Sequence, residues 1–126
     1  CNPKDVLAAQ NYNALRNWLY LDMAVYGRYN DLVWAYLEEH DAIPEFIEGD
    51  DIVLKSGHPD FIGFNYYNTT TCTWSDSMEA AGSTADQQSA FDIPGFFKGF
   101  KNPHLPVTEF GWEIDPEGFR ATIREI

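Results

Sequence analysis

Asp60-Phe61-Ile62-Gly63-Phe64-Asn65-Tyr66-Tyr67 brings an amide and two phenols to the end of a short apolar run. Phe61, Ile62 and Phe64 predict a buried strand over 60–67, and Gly63 permits close backbone approach. Asn65, Tyr66 and Tyr67 then fall where that strand runs out into a loop. In parallel α/β architectures the C-terminal strand ends are where ligands are met. An Asn and a Tyr there can hydrogen-bond hydroxyl groups, and an aromatic face can stack on a sugar ring. The competing reading makes both tyrosines half-buried rim residues with satisfied hydroxyls. The octapeptide alone leaves the two readings open.

Other residue types capable of chemistry carry weaker signals. His40, His58 and His104 are scattered and lack the spacing of metal ligands, so no metal site is expected. Cys1 and Cys72 are too few for a disulfide framework. Cys72, just past Tyr67, reads as a packed thiol. Glu45, Glu48, Asp50 and Asp51 read as a solvated acidic face. Glu109, after Pro106-Val107-Thr108, imitates a strand-end carboxylate.

The elements that must position these residues are mostly helical. Asn2 as N-cap, Pro3 in the first turn and Asp5 beside the positive helix end predict a helix start. Ala8, Tyr12, Leu15, Leu19, Met23 and Tyr26 recur at helical spacing, predicting a long helix to about Val25 that Gly27 ends. Asn30 caps a second helix to about Glu39. Residues 42–51, with Pro44 and Gly49, form a surface connection, and a short helix near Ile52–Lys55 stops at Gly57. From about Ser75 to Pro106 no period is visible, although Phe91, Phe96, Phe97 and Phe100 lie there. These phenylalanines are expected to hold the loop together; binding a substrate's aglycone is the lesser alternative. A loop of that length is usually functional when it occurs in a compact domain. Asp115-Pro116 starts a last helix. One strand among several helices completes no sheet, so the remaining strands are expected outside the chain.

The chain has 126 residues, 44% of them hydrophobic, which suits one globular domain or less. Twenty acidic against eight basic residues give a formal charge of −12, which disfavours nucleic acid and acidic membrane surfaces. No apolar run approaches the roughly 20 residues of a membrane span. A reduced, cytoplasmic setting is the default expectation. The sequon Asn68-Thr69-Thr70 would matter only in a secreted protein. The chain opens on Cys1 directly before a helix start and closes on Arg124-Glu125-Ile126 in mid-helical pattern, so an internal section of a larger protein is expected.

Five stretches, in this order, resemble glycoside hydrolase family 1, the β-glucosidase and 6-phospho-β-glucosidase family of (β/α)8 TIM barrels. They are Asn2-Pro3-Lys4-Asp5-Val6-Leu7-Ala8-Ala9, Trp18 to Asp22, Gly27 with Tyr29, Asp60 to Tyr67, and Gly111-Trp112-Glu113-Ile114-Asp115-Pro116-Glu117-Gly118. The stretch from Cys1 to Gly27 and the variant Thr108-Glu109-Phe110-Gly111 look most like the bacterial 6-phospho-β-glucosidase branch. The resemblance implies that residues 1–126 are a partial TIM-barrel domain, the central portion around the fifth and sixth β/α units. In it, 60–67 becomes the sixth strand, the loop beyond Tyr67 an active-site loop, and residues 115–126 the sixth helix.

Family enzymes use two glutamates in a retaining mechanism, with carboxyls about 5 Å apart. The Asn-Glu-Pro motif of the acid/base and the Thr-Glu-Asn-Gly motif of the nucleophile are both missing here, so no catalytic residue is expected within the chain. Glu109 precedes a motif that lies upstream of the nucleophile, and Phe110 replaces the motif Asn, so Glu109 reads as a loop or structural carboxylate. By resemblance Asn65 lies near the sugar subsite and Tyr67 hydrogen-bonds the nucleophile, while Tyr66 points away because strand neighbours alternate faces.

The implied function is that of a cofactor-independent retaining β-glycosidase of carbohydrate metabolism. Its substrate would be a β-glucoside or 6-phospho-β-glucoside, and the chain alone would be inactive and inclined to self-associate. A carbohydrate-binding or structural module stacking sugars on Tyr66, Tyr67 and Trp74 is the alternative. Such modules show several evenly spaced strands.

Overall fold

The computed structural model describes residues 2–77 and 92–126. Helix α1 (Pro3–Asn13) starts as its sequence dictates, with Asn2 Oδ1 accepting the Lys4 amide at 3.1 Å. It passes through a π-helical turn, Ala14–Trp18, into α2 (Leu19–Tyr26). Gly27 closes α2 in the left-handed region at φ 64°, and a Cβ there would meet the Leu54 carbonyl at 2.6 Å. Asn30 caps α3 (Asp31–Glu39) through the Leu32 amide, and α4 spans Asp50–Ser56. The expected helix starts and stops all occur, with the single departure of the π turn inside the first long helix.

The sheet is not where the apolar run predicts it. Residues 60–70 form no strand, and a two-stranded antiparallel sheet instead joins β1 (Thr71–Thr73) to β2 (Lys98–Phe100), in the register Cys72 opposite Gly99. Phe61, Ile62 and Phe64, expected to be buried, are 84%, 41% and 44% exposed. A strand needs a neighbour to receive its backbone hydrogen bonds, and no other described segment lies alongside 60–67 to provide one. The expected structureless stretch 75–106 needs the opposite correction. It contains β2 and a tight turn closed by Ile93 and Phe97, and just beyond it Val107 bridges Glu113.

The core sits where this hairpin meets α1. Ala8, Cys72 and Phe97 are buried together, with Tyr12, Leu15, Trp74, Ile93 and Phe96 packed around them. Phe97 meets Tyr12 edge-on at 5.1 Å, and Phe96 lies 4.4 Å from Tyr36 on α3. These two phenylalanines hold the loop together, as expected; Phe100 is 44% exposed, and Phe91 lies outside the described residues. Two polar ties add direction. Asn11, itself buried, donates to the Phe96 carbonyl at 2.9 Å. Asp5 accepts the Thr73 hydroxyl at 2.8 Å and the Trp74 amide at 3.1 Å.

Helix α5 (Pro116–Glu125) packs Phe119 against Phe64 and Tyr66. A cleft of about 530 Å³ follows residues 62–70 between α5 and the π turn. Among the described residues no helix is long and apolar enough to cross a membrane.

Candidate functional site

Residues 61–67 alternate faces even without a ladder. Phe64 and Tyr66 turn toward α5, their rings 6.4 and 4.9 Å from Phe119. On the other face Phe61 is 84% and Tyr67 60% exposed, and Asn65 is exposed as well. The two phenols therefore have different surroundings. Tyr66 is half-buried, its hydroxyl against Thr69 Oγ1 and 3.3 Å from the Asp115 carbonyl. The Tyr67 hydroxyl and the Asn65 amide have no hydrogen-bond partner among the described residues. A phenol and an amide on one open face can reach oxygen atoms supplied from elsewhere.

The ring of Tyr67 rests on Trp112, with centroids 5.4 Å apart, and Phe110 stacks on Trp112 at 5.8 Å. Trp112 is held by a tight turn. Gly111 sits at φ 84° and donates to the Thr108 carbonyl at 2.9 Å, and the Trp112 amide donates to Thr108 Oγ1 at 3.1 Å. Sequence reasoning assigned Trp112 only to a motif. An aromatic directly after a glycine at a turn was the available signal, but nothing local paired it with a ring 45 positions upstream. Glu109 lies exposed at the tip of this turn. Glu113 is the buried carboxylate of the segment, 7% exposed, and accepts the Asn102 amide, tying the end of the long loop to the base of α5.

Asp115 joins the two halves of the neighbourhood. Its Oδ1 accepts the Gly118 amide at 2.9 Å, capping α5, while Oδ2 accepts the Thr69 hydroxyl at 2.8 Å. The Gly118 amide and then the Thr69 hydroxyl hold its carboxyl below the usual carboxylate range. Asp5 is lowered in the same way by the Thr73 hydroxyl and the Trp74 amide. Cys72 moves the opposite way: burial, reinforced by the charge of Asp92, pushes its thiol up to about 12. It is a neutral packing group, as expected.

The histidines do not converge. His40 stacks on Tyr36 at 4.1 Å, and no group of three potential metal ligands occurs among the described residues. Of the acidic cluster, Asp50 accepts the Ile47 amide and Asp51 pairs with Lys55 at 3.4 Å across one turn of α4. Trp74 donates to Asp76, with the Lys4 ammonium 5.5 Å from its ring centre.

The family model for glycosyl hydrolase family 1 matches residues 1–126. The chain is 36% identical over 132 aligned residues to the aryl-phospho-beta-D-glucosidase BglC of Bacillus subtilis (strain 168), covering 99% of this chain and 28% of that protein. It is 35% identical to BglH of the same organism, covering 98% and 24%, and 32% identical to the 6-phospho-beta-glucosidase AscB of Escherichia coli (strain K12), covering 98% and 23%. The crystal structure of the psychrophilic beta-glucosidase BglU from Micrococcus antarcticus superposes with a TM-score of 0.65 at 26% identity, over 98% of this chain and 27% of that one. The chain thus spans about a quarter of the length of the relatives it matches. With the full-length match of the family model and the five motif stretches in family order, the chain belongs to glycosyl hydrolase family 1.

Proposed function

We propose that this chain is the section around the fifth and sixth β/α units of a retaining β-glycosidase, and that the whole enzyme cleaves 6-phospho-β-glucosides. The observation that carries the reading is the contrast between the two adjacent phenols. Tyr66 is satisfied within the chain, whereas Tyr67 and Asn65 share an open face with unspent hydrogen-bonding groups. In a closed barrel that face looks into the site, and the exposed ring of Phe61 is covered by neighbouring strands. The phosphorylated substrate is supported by the relatives named as phospho-β-glucosidases.

The chemistry follows from the family mechanism. One glutamate attacks the anomeric carbon while a second, as a carboxylic acid, protonates the departing oxygen. Water then attacks the covalent glycosyl-enzyme with the second glutamate acting as base. Both glutamates lie on segments outside this chain in this reading, and no cofactor takes part. The Tyr67 hydroxyl donates to the nucleophile, which favours its ionised form and fixes its direction of attack. Asn65 hydrogen-bonds a hydroxyl of the glycone.

A cytoplasmic setting belongs to this reading and is supported by the two cysteines, too few for a disulfide framework. The test is to assay the full-length enzyme on an aryl β-glucoside and on its 6-phosphate, beside the 126-residue chain alone. The reading expects turnover of the 6-phosphate by the full enzyme and none by the chain. Turnover by the purified chain would overturn the assignment and return Glu109 to consideration as a nucleophile.

A further inference from the structure

We propose that Thr69, Asp115 and Gly118 form a clamp that aims Tyr67, which makes Thr69 a positioning residue for the glycosidase reaction. The inference rests on the role given to Tyr67 above. It starts from hydroxyl bookkeeping. Thr69 has one proton and gives it to Asp115 Oδ2 at 2.8 Å, so the Tyr66 hydroxyl donates to Thr69 Oγ1, with the Asp115 carbonyl at 3.3 Å as its second acceptor. The residue before Tyr67 and the residue two after it are thus tied to the same aspartate. Thr70 adds a tie on the opposite side, its hydroxyl 3.1 Å from that of Tyr12 on α1. Tyr67 itself makes none of these bonds. Its backbone is fixed on both flanks while its hydroxyl stays free.

Gly118 supplies an independent observation. Its backbone lies in the first turn of α5 with no positive φ, so helix geometry alone does not call for glycine there. A Cβ at this position would overlap Thr69 Oγ1 and the Asp115 carboxylate. The glycine is required by the close approach of the clamp. The lowered Asp115 carboxyl is consistent with a permanently charged acceptor at its centre.

The experiment uses the full-length glycosidase, measuring kcat and KM on one substrate with melting temperature alongside. Thr69→Val keeps the side-chain shape and removes the hydroxyl. It is expected to lower kcat roughly two- to tenfold, the effect of one lost hydrogen bond, with KM unchanged. Thr69→Ser restores the hydroxyl and is expected to recover kcat. Gly118→Ala improves helix propensity, so a purely helical role predicts unchanged or better behaviour, whereas the clamp predicts a lower kcat. In the pair Tyr67→Phe with Thr69→Val, kcat is expected to fall no further than in Tyr67→Phe alone. Wild-type kcat in Thr69→Val, no recovery in Thr69→Ser, or fully additive losses in the pair would each overturn the clamp. If Tyr67→Phe lowers kcat and Thr69→Val does not, only the clamp fails. If Tyr67→Phe leaves kcat unchanged, the role of Tyr67 and the clamp fail together. Should Gly118→Ala not fold, the Thr69 variants decide.

Discussion

Replacing Phe97 by Ala should release the hairpin from α1 without touching the open face of Asn65 and Tyr67. Phe97 is fully buried, meets Tyr12 edge-on at 5.1 Å, and is the largest side chain of the core cluster with Ala8 and Cys72. Truncating a buried Phe to Ala costs about 3–5 kcal/mol, of which the edge-to-face pair accounts for about 0.5–1.5. Only 3 residues on each strand make up the ladder, so the buried Phe97 ring carries a large share of what joins the hairpin to α1, beside the hydrogen bonds of Asn11 and Asp5. The cost should therefore fall on local opening and not on the whole molecule. Native-state hydrogen exchange reads this directly. Amides of residues 71–73 and 98–100 should lose protection by roughly one hundred- to three thousand-fold, at about 1.4 kcal/mol per factor of ten. Amides of α3, which meets the loop where Tyr36 packs on Phe96, should change far less. Phe96→Ala, at a half-buried position, is the control and should produce a smaller loss in the same amides. Equal losses for the two variants, or a loss below tenfold for Phe97→Ala, would refute the placement of the core at this junction.

Gly27→Ala should destabilise the fold by at least about 1–2 kcal/mol, because the residue sits at φ 64° and its Cβ would press on the Leu54 carbonyl; a chemical melt measures it. Cys72 should alkylate slowly in the native protein at pH 8 and quickly in denaturant. Its folded pKa of about 12 lies above the ordinary thiol value of 9.0, so the stability that this neutral form contributes is present below pH 9 and is lost as pH rises toward 12. Asp5 and Asp115 have depressed folded pKa values, so their contribution is complete above the ordinary carboxylate value of 3.8 and disappears as pH falls below it. An acid titration of Asp115→Asn should accordingly be flatter than that of the parent below about pH 4.

The parts of the fold legible in the sequence are those decided within a few residues. Asn2 and Asn30 cap because a side-chain carbonyl can reach an amide two residues ahead, and Gly27 stops a helix because it alone enters the left-handed region cheaply. The π turn at Ala14–Trp18 has no such signal, since its residues are ordinary helix formers and only packing decides the extra residue in the turn. The hairpin was invisible for a related reason. Thr71–Thr73 and Lys98–Phe100 are too short to show a period, and they pair across more than twenty intervening residues. The strand expected at 60–67 failed in the opposite sense: its pattern is right for a buried strand, but pattern alone supplies no partner to pair with.

The same division runs through the site. Asn65 and Tyr67 could be named because they stand at the end of a patterned run. Trp112, Thr69 and the buried Asn11 and Glu113 could not, because their contacts are made with residues between 45 and 85 positions away or, for Glu113, with a loop whose path the sequence does not fix. Family membership, by contrast, was legible almost completely, since it depends on motif order and not on the closure of a sheet.

The central claim is that Tyr67, and not its neighbour, serves the glycosidase site, and kinetics of the two Phe variants in the full-length enzyme test it most directly. Tyr67→Phe removes one charge-assisted hydrogen bond to the nucleophile, which is worth about 1.5–3 kcal/mol, and should lower kcat about ten- to a hundredfold with little change in KM. Tyr66→Phe removes a hydroxyl whose partners are Thr69 and the Asp115 carbonyl, and should cost much less in kcat. Equal effects, or the larger effect at Tyr66, would contradict the account.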